Sequence, residues 1–114
     1  MKRIVFVAAM LVAMATSIST PARANITGND WLEMCEEDDA TCALYARGVA
    51  EGLQMWSVFS PKTAIACIPD GVSANQIMEI GRRFVTNSSP EDRNHLIAVI
   101  LFARAFREKW PCKK

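Results

Sequence analysis

The chain has 114 residues, a formal net charge of +1, four cysteines and one histidine. That length holds one domain rather than several. A charge so close to balance argues against a nucleic-acid binder, which would be strongly basic.

The first segment reads as a leader. Lys2 and Arg3 precede an apolar run over residues 4–15, and Ala22-Arg23-Ala24 has the small-x-small form that signal peptidase cuts. The run is short of the roughly 20 apolar residues that a spanning helix needs. The expectation is a secretory signal peptide over residues 1–24, cleaved after Ala24. Residues 25–114 are then a single periplasmic domain with no membrane segment. Lys2, Arg3 and Arg23 fall in the leader, so ten of the thirteen basic residues remain against all twelve acidic ones. The exported part is therefore slightly acidic, which argues further against nucleic acid as a partner.

Export places Cys35, Cys42, Cys67 and Cys112 in an oxidising compartment, where a domain this small commonly needs covalent staples. Two disulfides are expected. Zinc is the rival reading, but no pair has C-x2-C spacing and His95 is the lone histidine. Four cysteines allow three pairings. The favoured one is Cys35–Cys42 with Cys67–Cys112, because the first pair flanks a polar turn and the second ties mid-chain to chain end. In the chain-entropy picture the short loop contributes about 2.5 kcal/mol and the long one about 4.

The periodicity is helical from end to end, and no stretch alternates long enough for a strand. A first helix is expected over residues 29–35, capped by Thr27 or Asn29, with Trp31, Leu32 and Cys35 inward. The second is expected over residues 40–59 with Asp39 as its cap, and its inward stripe is Cys42, Tyr45, Val49, Leu53 and Trp56. Gly48 and Gly52 lie one turn apart on it. Each costs about 1 kcal/mol relative to alanine in a helix interior, which points to a close neighbouring backbone, either another helix of the same chain or a second copy. Residues 57–66 read as a loop broken by Pro61, and Pro69 and Gly71 suit a turn. Ser73 and Gln76 form a capping box, so the third helix starts near Ala74 and ends around Asn87, with Ile77, Ile80, Gly81 and Phe84 buried. Ser89, Pro90, Glu91 and Asp92 open a fourth helix. Leu96, Val99, Ile100, Ala103 and Phe106 then recur at helical spacing until Pro111. The fold class is all-α, a small bundle of four helices stapled by two disulfides.

No catalytic constellation emerges. The cysteines are committed to bridges, which removes a Cys–His nucleophile pair. His95 reads as structural, no glycine-rich phosphate loop exists, and the carboxylates sit in turns and at helix starts. The expectation is a protein that is no enzyme and holds neither metal nor cofactor. Binding remains. Residues 56–64 gather Trp56, Phe59, Pro61 and Lys62, and aromatic anchors beside polar contacts suit a protein interface. Phe59 is the better surface candidate, while Trp56 is expected to fold inward.

Three segments carry a family resemblance: Cys42-x-x-Tyr45-x-x-Gly48, Cys67-Ile68-Pro69-Asp70-Gly71-Val72-Ser73-x-x-Gln76, and Trp110-Pro111-Cys112. In this order, behind a leader, they resemble the Rap/Tai immunity proteins that oppose type VI secretion amidase effectors. The chain differs mildly, with Trp110 where phenylalanine is common and Phe84-Val85 where Tyr-Leu is. The resemblance implies a small helical periplasmic protein, commonly a homodimer, that occludes the active-site cleft of a peptidoglycan amidase. Two segments are candidates for the inserted part. One is residues 57–62, with Phe59 and Lys62. The other is the acidic turn of Glu36, Glu37, Asp38 and Asp39. The competing function is a general periplasmic stress protein, such as a small acid-activated chaperone.

Overall fold

The computed structural model describes residues 25–113. The expected leader lies outside the described residues. Within them the chain forms α1 (Gly28–Glu37), α2 (Asp39–Phe59), a 3-10 turn (Pro61–Thr63), α3 (Ala74–Asn87), α4 (Pro90–His95) and α5 (Ala98–Lys109). α2 packs against α1 and α3, and α3 packs against α5.

Local hydrogen bonding sets most helix starts. Thr27 and Asp30 close a capping box on α1, and Ser73 and Gln76 close one on α3. Ser89 caps α4 ahead of Pro90. The α1–α2 junction corrects the expected cap. Asp38, not Asp39, caps α2, accepting from the Ala40 N–H at 3.0 Å and the Thr41 hydroxyl at 2.5 Å. Its own N–H ends α1 by donating to the Met34 carbonyl at 2.9 Å. One residue thus terminates one helix and starts the next, which leaves no room for a longer turn. Both disulfides form as favoured, Cys35–Cys42 across this junction and Cys67–Cys112 between mid-chain and chain end.

The core is aromatic. Trp31, Phe102, Phe106, Leu101, Val85 and Cys42 are fully buried. Trp31 meets Phe102 edge-on at 4.6 Å, and Phe106 continues the stack at 5.6 Å. The Trp31 indole N–H donates to the Cys42 carbonyl, so the ring is buried with its polar atom satisfied. Gly81 of α3 makes room for Phe102. A methyl at that position would lie 1.9 Å from the ring.

Two expectations about helix faces are overturned. α2 buries Cys42, Ala43, Ala46, Ala50 and Leu53, whereas Tyr45 and Val49 lie at its margin and Trp56 is 48% exposed. Small alanines let α2 approach its neighbours, and the bulkier residues stay outside. The expected fourth helix is broken into α4 and α5, because Leu96 and Ile97 are extended. There the N-terminal segment inserts. Thr27 bridges Ile97, the Gly28 N–H donates to the Leu96 carbonyl, and the Ala98 N–H donates to the Ile26 carbonyl at 2.7 Å. After the break α5 buries Ala98, Leu101, Phe102, Ala105 and Phe106. Val99 and Ile100, expected inward, are about two-fifths exposed, at 41% and 39%.

Candidate binding surface

The C-terminal end of α2 forms an apolar projection. The helix runs through Phe59, so the expected loop begins three residues late, and Phe59 stands on a helical turn. Val58 and Phe59 are 76% and 77% exposed, with Met55 beside them. The following 3-10 turn presents an exposed Lys62. The projection is braced rather than loose. The Trp56 indole N–H donates to the Thr63 carbonyl at 3.2 Å, and the Thr63 N–H donates to the Ser60 carbonyl at 3.0 Å. The Ser57 hydroxyl lies within hydrogen-bond distance of both the Leu53 and the Ala66 carbonyls. The Cys67–Cys112 bridge and a bond from the Cys67 N–H to the Trp110 carbonyl hold the far end. Trp56 therefore braces the turn from the surface instead of completing the core.

The acidic turn divides into two pairs. Asp38 and Asp39 do structural work. Asp38 caps α2, and Asp39 pairs with Arg82 of α3 at 3.0 Å. The Thr41 hydroxyl, and after it the Ala40 N–H, hold the Asp38 carboxyl below its ordinary value. Glu36 and Glu37, the last residues of α1, are exposed and have no ion pair among the described residues. The two candidate segments are not brought together. α2 has 21 residues, so at 1.5 Å per residue it holds its two ends about 30 Å apart.

A third surface, this one apolar, lies between them. Leu44, Tyr45, Gly48, Gly52 and Val99 line an open groove of about 430 Å³. A Cβ on Gly48 or Gly52 would meet nothing within 4 Å. Among the described residues no neighbouring helix comes within 4 Å of such a Cβ, so the first of the two readings of the pair finds no support there. Burial at the groove margin pushes the Tyr45 hydroxyl above its ordinary pKa. The exposed Leu44, Met55 and Phe59 continue the stripe at helical spacing. That periodic signal is present in the sequence, but it runs beside the stripe through Tyr45, Val49 and Trp56, and periodicity alone does not rank the two.

No metal-holding arrangement is assembled among the described residues. No group of three His, Cys, Asp or Glu side chains converges on a metal site. His95 is exposed as the last residue of α4. A groove of about 600 Å³ between α3, α4 and α5 mixes Arg83 and Lys109 with Asp92 and Glu108 around Phe84. No helix among the described residues is long and apolar enough to cross a membrane.

A disulfide-stapled helical fold with an exposed apolar projection has the form of a small binding protein. The sequence pattern of the Rap1a immunity proteins matches residues 27–112. The chain belongs to this family, whose role is inhibitory rather than catalytic, with a cognate effector as partner. No curated protein and no solved structure matches the chain.

Proposed function

We propose that the protein is a periplasmic immunity protein that binds a type VI secretion peptidoglycan amidase and occludes its active-site cleft. The observation that carries this reading is the braced projection at the end of α2, in a member of an immunity family. Its shape is fixed before binding, so little ordering entropy opposes insertion into a cleft. Phe59 is the anchor and Lys62 the polar contact at its edge. Glu36 and Glu37 form a second, separate contact. The leader over residues 1–24 directs export and is removed after Ala24, which an intact-mass measurement of the secreted protein checks.

The test is affinity for the cognate amidase. Phe59→Ala with Lys62→Ala is expected to weaken binding at least ten-fold, which corresponds to about 1.4 kcal/mol. Unchanged affinity would remove the projection as the inhibitory contact. Charge reversal at Glu36 and Glu37 tests the acidic end in the same assay.

The protein also acts as a homodimer in this reading, with the Gly48–Gly52 groove as the contact. Its exposed apolar lining and the open space at the glycines among the described residues support that choice. Gly48→Leu fills the groove. Sedimentation should then show a monomer, and a dimer unaffected by this change would place the contact elsewhere.

A further inference from the structure

The two disulfides lie in opposite surroundings. Cys42 is fully buried and Cys35 is 8% exposed, and both belong to the core. The Arg82 guanidinium lies 4.0 Å from the Cys42 sulfur, and Cys35 borders a groove of about 400 Å³ that Glu36 and Arg82 share, while the side chains of the pair stay in the core. Cys67, by contrast, is exposed and Cys112 half-buried. Cys67 also lines an open groove of about 440 Å³ walled by Met55, Val58 and Ile68, which admits a reductant to its sulfur. Exchange rates rise with access to the attacked sulfur.

We propose that Cys67–Cys112 is a thiol-exchange site, opened by a dithiol reductant while Cys35–Cys42 stays closed. The reductant's thiolate attacks the Cys67 sulfur. The S–S bond breaks, and Cys112 leaves as a thiolate that takes a proton from water. The second reductant thiol, deprotonated, attacks its own sulfur in the mixed disulfide and releases Cys67 as a thiolate, which is protonated in turn. Two electrons pass to the cystine, and the reductant ends as a cyclic disulfide. Opening releases two segments at once, because Cys67 closes the braced turn and Cys112 anchors the chain end. Beyond the bridge, the bond from the Cys67 N–H to the Trp110 carbonyl joins them. The α1–α3–α5 core contains neither cysteine. On the immunity reading above, the site sets how firmly the projection is held.

The experiment treats the secreted chain with graded dithiothreitol, quenches with iodoacetamide and maps the alkylated cysteines by mass spectrometry. Cys67 and Cys112 are expected to be modified together, at least ten-fold faster than Cys35 and Cys42. Simultaneous opening of both bridges, or earlier opening of Cys35–Cys42, overturns the proposal. Hydrogen exchange on the singly opened species is the second readout. Faster exchange over residues 60–67 and 110–113, with the core helices unchanged, is expected. Unchanged exchange in those segments, or global unfolding, overturns it. Neither readout involves an amidase, so failure here is distinct from failure of the immunity reading, which the Phe59 and Lys62 variants test.

Discussion

Gly81 in α3 and the Gly48–Gly52 pair in α2 look alike in the sequence, since each is a helical glycine that sacrifices helix propensity. Their surroundings are opposite. Gly81 is buried, and the Phe102 ring occupies the space where its side chain would be. Gly48 and Gly52 face open space, and α2 reaches its neighbours through Ala43, Ala46 and Ala50 instead. A glycine that admits a ring is explained by the fold. A pair that meets nothing among the described residues is left unexplained by their packing.

Alanine substitution breaks or sharpens this contrast. Gly81→Ala should have the largest effect. The Phe102 ring is fully buried and cannot swing into solvent, so overpacking should destabilise the domain by about 3 kcal/mol. At about 4–8 °C per kcal/mol for a domain of this size, thermal unfolding followed by circular dichroism reads the loss easily. Wild-type stability in this variant would refute the placement of Phe102 against α3. Gly28→Ala comes next. Its Cβ would lie 2.6 Å from a Leu101 methyl, the end of a side chain that can shift, and 3.3 Å from the Arg93 backbone. A loss of about 1 kcal/mol in urea denaturation is expected.

Gly48→Ala and Gly52→Ala should change sign. Each is expected to stabilise the monomer by up to about 1 kcal/mol through helix propensity. A loss of monomer stability at either would show a neighbour close to α2 and end the contrast. The smallest effect concerns the cap of the same helix. The folded state holds the Asp38 carboxyl below its ordinary 3.8. Its ionised form therefore stabilises the fold above that value, and the contribution is lost as pH falls through the lowered folded value. Asp38→Asn should remove this part of the acid limb from a plot of stability against pH. An acid limb identical to wild type would show that the cap contributes nothing there.

α5 repeats the lesson of α2. Residues 96–106 carry two apolar stripes at helical spacing. One runs through Leu96, Val99, Ile100, Ala103 and Phe106, and the other through Ala98, Leu101, Phe102, Ala105 and Phe106. An unbroken helix from Pro90 suits the first. The structure uses the second, because residues 26–28 hydrogen-bond to the extended backbone at Leu96–Ala98 and interrupt the helix. The signal for that insertion is non-local, since Thr27 and Ile97 are remote in the chain. The candidate site was legible to a similar degree. Phe59 and Lys62 stand exposed as their composition suggested. The acidic turn looked like one surface until Asp38 and Asp39 were found engaged in a cap and an ion pair.

The sequence by itself determined the all-helical class, the starts of α3 and α4 and the family, and it favoured one of three pairings of the cysteines, which the structure then formed. Those features rest on hydrogen bonds between near neighbours, on residue types and on motif order, all of which are local or linear. Only the tertiary structure decided which stripe of α2 and α5 turns inward, where the last helix breaks, and which glycines are filled by a neighbour. A helix with two apolar faces has no internal reason to prefer one. The choice belongs to the elements that pack against it, and here Phe102, the α2 alanines and the N-terminal segment make it together.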